Sequence, residues 1–248
     1  MTNGEWIIGK NPVQEALRSG RSINKVMVSD QLQYQAFKKL EQLAKEQGVN
    51  VQKVPKKKID QLVDGSHQGV AASVAAYDYA DIEDLFAKAE EKGEAPFFII
   101  CDEIEDPHNL GSILRTADAA GAHGVIIPKR RSVALTATVA KTSTGAIEYI
   151  PVARVTNLAR TIDELKERFV WVVGTDAEGT EDYRQLDGSM PIALVIGSEG
   201  RGMSRLTKDK CDWTVSLPMA GKVTSLNASV AASLLMYEVH RKRHPLGE

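Results

Sequence analysis

Short, uninterrupted apolar runs recur along the second half of the chain. Phe97-Phe98-Ile99-Ile100, Val125-Ile126-Ile127, Trp171-Val172-Val173 and Ala193-Leu194-Val195-Ile196 are too brief for buried helices and lack the alternation of a half-exposed strand. They predict strands covered on both faces, as in a parallel sheet. Between them, apolar residues recur every three or four positions near 111–120, 134–141 and 157–168, which predicts helices. A last helix is expected from about Asn227 to His240. Strands alternating with helices define an α/β fold.

The first part of the chain has a different rhythm. Asn11 and Pro12 suit a helix start, and that helix should run to about Ser19. Val26–Val28 reads as a strand, 32–47 as an amphipathic helix, and Val49–Val54 and Val70–Ala76 as two more strands. From Tyr77 to Ala95 the chain turns acidic and alanine-rich, with Gly93 and Pro96 as punctuation. The expected organisation is a small α/β domain over 1–77, a connector with a helix over 78–95, and a larger domain over 96–248.

Composition narrows this little. A formal net charge of −2 over 248 residues gives no global attraction to nucleic acid, so any such affinity must be local. Basic clusters stand at Lys56-Lys57-Lys58, Lys129-Arg130-Arg131 and Arg241-Lys242-Arg243, each equally readable as a solvated surface run. Cys101 and Cys211 lie beside predicted strands without metal-ligand spacing and read as small buried residues. No apolar stretch reaches the roughly 18 residues a membrane-spanning helix needs, and no signal-type run opens the chain. A reducing cytoplasm is the expected location.

Three stretches put polar groups or glycines where a strand gives way to a loop or helix, the usual ligand position in α/β proteins. The first, Asp106 to Ala117, places Asn109 and Gly111 at a helix start, where free N–H groups attract anions, with Arg115 one turn on. The second, Ile196 to Ser204, follows a buried strand with Gly197-Ser198-Glu199-Gly200; its small residues allow close backbone approach and Glu199 supplies a carboxylate. The third runs from Leu217-Pro218-Met219 to Ser225-Leu226-Asn227-Ala228, and its Ser225 and Asn227 can equally be helix caps. Gly197, Gly200 and Gly202 are spaced G-x-x-G-x-G, so the Rossmann fingerprint is absent, as is a Walker loop.

In this order the three stretches resemble the motifs of the SpoU/TrmH group of SPOUT methyltransferases, which methylate the ribose 2′-hydroxyl of RNA. Gly121, Gly124 and Lys141-Thr142-Ser143-Thr144-Gly145-Ala146 fit the same pattern. The Gly9-Lys10-Asn11-Pro12 opening and His67-Gln68-Gly69-Val70-Ala71 look like the substrate-binding domain of RlmB-like members, so the likeness covers essentially the whole chain.

The resemblance implies a C-terminal SPOUT domain with a mainly parallel sheet and a deep trefoil knot, preceded by a small α/β substrate-binding domain resembling ribosomal protein L30e. It implies S-adenosylmethionine as cofactor and a homodimer whose active sites borrow residues from the partner; no metal and no membrane are expected from the sequence itself. By motif position, Gly197, Leu217, Met219 and Leu226 hold the cofactor. Arg115 is the catalytic residue, with Asn109, Glu199, Ser225 and Asn227 placing it and the ribose. Free arginine has a pKa of about 12.5 or higher, so Arg115 acts either as a locally activated base or as a cation that stabilises the alkoxide while another group takes the proton. Lys10, Asn11 and Lys56, Lys57 and Lys58 are the expected RNA contacts of the small domain.

The expected function is 2′-O-methylation of a guanosine in 23S ribosomal RNA, naked or in a pre-ribosomal particle. Alternatives are the same chemistry on transfer RNA or an rRNA adenosine, a non-catalytic RNA-binding or ribosome-assembly protein, and a nucleotide-dependent enzyme on small molecules.

Overall fold

The computed structural model describes residues 6–222 and 224–247. The chain forms two compact units, Met1–Asp78 with Ala134–Ala137, and Tyr79–Val133 with Thr138–Glu248.

The first unit contains β1 (Trp6–Ile8), α1 (Lys10–Arg18), β2 (Ile23–Ser29), α2 (Tyr34–Glu46), β3 (Asn50–Val54), α3 (Lys56–Asp60) and β4 (Val70–Val74). Its sheet has the order β1-β4-β2-β3; β2 and β3 are parallel and the other pairs antiparallel. Alternation along β2 splits its side chains between two faces. Val26 and Val28 pack with Val13, Leu17 and Leu40, while Met27 packs with Val54 and Ile59.

Asn11 is not the cap of α1. Gly9 holds that position with φ of 97° while its N–H donates to the Val70 carbonyl, a left-handed turn that favours glycine. Asn11 therefore lies exposed inside the first turn. Lys56, Lys57 and Lys58 form the exposed side of α3, whose buried side is Ile59. The strand β1 was not expected, because three residues are too few to show alternation.

The second unit is built from α4 (Ile82–Lys92), β5 (Phe97–Cys101), α5 (Pro107–Ala119), β6 (Gly124–Pro128), α6 (Ala137–Thr142), β7 (Val152–Val155), α7 (Leu158–Glu167), β8 (Trp171–Thr175), β9 (Glu181–Asp182), β10 (Ile192–Ile196), α8 (Arg205–Lys210), β11 (Trp213–Ser216) and α9 (Ala228–Arg243). The strands form one sheet of order β7-β6-β5-β10-β8-β11-β9, and every pair in it is parallel. All of β5 and β10 is buried, as their unbroken apolar runs require.

Several boundaries differ from expectation. α5 starts four residues early because Asp106 caps it, accepting from the His108 N–H at 2.8 Å, with Pro107 at the first helical position. α6 starts three residues late because the Leu135 carbonyl accepts from the Ala76 N–H, holding that segment in the first unit. The trio 217–219 follows β11 rather than ending it.

The chain leaves β5 towards β6 on one side and leaves β10 towards β11 on the other. The order therefore reverses between β5 and β10, and their carboxyl ends bound a crevice of the kind where open parallel sheets bind ligands. Among the described residues no helix is long and apolar enough to cross a membrane.

Candidate active site

Asn227 joins the three motifs. It caps α9, its Oδ1 accepting from Ser229 N at 3.0 Å and Ser229 Oγ at 2.7 Å. That contact fixes the amide orientation, since a backbone N–H needs an acceptor. Nδ2 therefore points outward as a donor, to Asn109 Oδ1 at 3.0 Å and to Glu199 Oε2 at 3.2 Å. Asn109 is buried in the first turns of α5, and Glu199 is exposed in the loop after β10. Capping and site-building, alternatives in the sequence, are thus one arrangement. The pairing of α5 with α9 is reinforced by Thr116 Oγ1 and Ser233 Oγ, 3.1 Å apart.

The loop after β10 is held in shape by its neighbours. Buried Asp102, just past β5, accepts from Ser204 N at 2.7 Å and donates its own N–H to the Ile196 carbonyl at 2.8 Å. Ser198 and Gly202 exchange backbone hydrogen bonds of 3.0 and 2.9 Å, folding the loop onto itself. A Cβ on Gly197 would stand 2.2 Å from the Gly202 carbonyl carbon, so only glycine fits there.

Two cavities flank this loop. One of about 250 Å³ lies at the carboxyl ends of β8, β10 and β11, walled by Ile196, Gly197, Val215, Leu217 and Leu226, with Met219 and Ser225 at its exposed side. Asp176 also lines it. Burial raises the Asp176 pKa, but the Lys208 ammonium at 2.7 Å and the Glu178 N–H outweigh this and hold the carboxyl below its ordinary value. The other cavity, about 270 Å³, is lined by Glu103, Glu105, Asp106 and Asn109. Ser198, Glu199 and Arg201 line both and form the wall between them.

The sequence-derived residues are therefore distributed unequally. Asn109, Glu199 and Asn227 are hydrogen-bonded together, and Gly197, Leu217, Met219, Ser225 and Leu226 line the first cavity. Arg115 lines neither; it is exposed on α5 without a side-chain partner among the described residues. In the first unit, Lys10 and Lys56 line a polar cavity of about 570 Å³, whereas Asn11, Lys57 and Lys58 lie outside its lining. His67 is buried there, 2.7 Å from Asp60 Oδ1 and accepting from Gly69 N. Ser198 and Arg201 lie in the second motif but were not singled out as site residues; Asp102 and Asp176 were missed, and their sequence signal is their place just after a buried strand.

Both cysteines are free. Burial pushes the thiols of Cys101 and Cys211 up to about 12, so neither forms a thiolate near neutrality.

Two small cavities sharing one polar wall at a parallel-sheet switch point can hold two molecules side by side, the arrangement a group-transfer enzyme requires. The SpoU rRNA Methylase family matches residues 96–237, and the RNA 2′-O ribose methyltransferase substrate-binding family matches residues 6–80. YacO of Bacillus subtilis (strain 168), named as a TrmH family tRNA/rRNA methyltransferase, is 65% identical over 244 residues, covering 98% of each chain. Among solved structures, the SpoU methyltransferase AviRb of Streptomyces viridochromogenes, in complex with the cofactor AdoMet, aligns with a TM-score of 0.62 at 28% identity, covering 97% of this chain and 91% of its own. The AdoMet-bound rRNA methyltransferase of Sinorhizobium meliloti aligns with a TM-score of 0.58 at 26% identity, covering 96% and 87%. The chain belongs to the SpoU/TrmH family of RNA methyltransferases.

Proposed function

We propose that this protein transfers a methyl group from S-adenosylmethionine to the ribose 2′-hydroxyl of a guanosine in 23S ribosomal RNA, acting in the cytoplasm as a homodimer. The observation that carries this reading is the shared wall of Ser198 and Glu199, with the Asn109–Asn227 pair beside it. Two cavities on either side of one loop are what adjoining donor and acceptor sites require.

The first cavity fits the cofactor. Its apolar walls, Ile196, Val215, Leu217 and Leu226, suit a purine, and Asp176 and Glu199 suit the cationic end of the molecule. When bound, S-adenosylmethionine supplies an electrophilic methyl group. The trefoil knot belongs to the same proposal, because the segment after β11 and the loop after β10 wall this cavity together.

Asn109 and Glu199 would orient the ribose in the second cavity, converting an encounter into an aligned attack. The Glu199 carboxylate, one oxygen of which is held by Asn227, is the acceptor for the hydroxyl proton. Arg115 serves as a cation, stabilising the developing oxyanion and an RNA phosphate from the second copy of the chain. An exposed stripe on α9, Val230, Leu234 and Tyr237, supports pairing of two copies. Guanine fits the second cavity because the acceptor-only carboxylates of Glu103 and Glu105 complement its N1–H and N2 amino donors. Ribosomal RNA is favoured because the rRNA methyltransferase from Sinorhizobium meliloti matches across both units of the chain.

The test is transfer of labelled methyl from S-adenosylmethionine to RNA and ribosomal particles from a strain lacking the protein, with nucleoside mapping. Label in 2′-O-methylguanosine of large-subunit RNA is expected. Label confined to transfer RNA, or to another nucleoside, would replace the substrate while keeping the chemistry.

A further inference from the structure

The second cavity poses an electrostatic problem for an RNA substrate. Glu103, Glu105, Asp106 and Glu199 line it with Arg201 as the one cation of the lining, so the field there disfavours a phosphate beside the ribose. The phosphates on either side of the modified nucleotide must be held outside.

The loop leaving β6 carries cations, Lys129, Arg130 and Arg131. This loop is tied to the cavity at two points: Val133 N donates to the Ile104 carbonyl at 2.9 Å, and Arg131 Nη1 donates to Glu103 Oε1 at 2.9 Å. Arg131 is thereby neutralised, but Lys129 and Arg130 have no acidic partner among the described residues. Lys129 N donates to the Val155 carbonyl, which brings Lys129 beside Arg154 of β7. Arg154 stacks over Tyr79, its guanidinium carbon 5.1 Å from the ring centre. Burial, and to a smaller extent the Arg154 charge, lower the Lys129 pKa.

We propose that Lys129 and Arg130 form the phosphate-binding rim of the acceptor cavity and take the backbone of single-stranded RNA beside the modified nucleotide. This rests on the cavity accepting an RNA ribose.

The test is binding of a short fluorescent single-stranded RNA of mixed sequence to the full chain, with S-adenosylmethionine present, across a salt series. For the double variant Lys129→Gln/Arg130→Gln, weaker binding is expected, with a salt slope shallower by about 0.7 for each cation lost. Cofactor affinity, measured by calorimetry, should not move. Lys92→Gln, at the end of α4 near His123 and so at the amino ends of β5 and β6, away from the loop leaving β6, controls for net charge and should leave the slope unchanged. A double-variant slope equal to that of the parent, or an equal change in Lys92→Gln, would overturn the rim while leaving the methyl-transfer reading intact. Failure of the parent chain to bind RNA at low salt would overturn both.

Discussion

At the scale of residues, Asn227 carries two jobs on one amide. Its Oδ1 caps α9 and its Nδ2 holds Asn109 and Glu199. Asn227→Asp separates them, because aspartate caps a helix as well as asparagine but cannot donate and sets a second carboxylate against Glu199. Thermal unfolding of this variant should stay close to the parent's, while methyl transfer falls by about a hundredfold or more. Asn227→Ala would lose about 1 kcal/mol of stability as well, measured by denaturant titration. If Asn227→Asp turns over normally, the amide bridge has no part in the chemistry. Asn109, Glu199 and Asn227 were legible in the sequence because they stand in the three stretches that resemble the SpoU/TrmH motifs, where their places at a helix start or after a strand acquire a role. Asp102 was not: it reads as an ordinary turn acid, and its partner Ser204 lies 102 residues further on.

At the scale of elements, legibility followed length and burial. The fully apolar β5 and β10 were plain, whereas β7 is broken by Arg154, β9 has two residues and α8 has six. The amino edge of β5 was equally hidden, and it makes two predictions. Arg243, near the end of α9, donates to the carbonyls of Ala95, Pro96, Gly188 and Met190. Arg243→Met leaves those acceptors short of partners and should cost about 1–3 kcal/mol in chemical denaturation, with cofactor affinity retained. His123 is fully buried beside them, its Nδ1 accepting from Phe97 N at 3.0 Å and its Nε2 facing Glu94 Oε2 at 3.0 Å. A ring that accepts at Nδ1 must be neutral. Burial lowers its pKa from the ordinary 6.5, although Glu94 pulls the other way. The unfolded chain therefore binds the extra proton first. The stability this site contributes is complete above about pH 6.5 and declines as pH falls below it, by up to about 1.4 kcal/mol per pH unit, until the folded ring also protonates. Denaturant titrations at stepped pH should show that decline in the parent and a flatter profile in His123→Gln. Equal profiles would remove His123 as the cause.

At the scale of the whole molecule, strand order was the part that periodicity could not supply. Nothing in the local pattern says that β10 inserts between β5 and β8, yet that insertion creates the switch point and sets Asn109 against Glu199. The return of 134–137 to the first unit was equally invisible, since it depends on a backbone contact with Ala76. The position of Arg115 makes the final prediction. Asn109 and Arg115 are six residues apart on α5, about 120° apart around the helix, and Asn109 is buried while Arg115 is exposed, so the two side chains leave the helix on different faces. If a second copy supplies Arg115, the sites are composite, and two inactive variants can repair each other. Arg115→Ala and Asn227→Asp, each inactive alone, are co-refolded so that subunits mix. Half of the dimers then pair unlike chains, and in each of these one site combines an intact Arg115 with an intact Asn227. Activity should return to about a quarter of the parent's. If Arg115 works within its own chain, every site in the mixture keeps one defect and no activity returns.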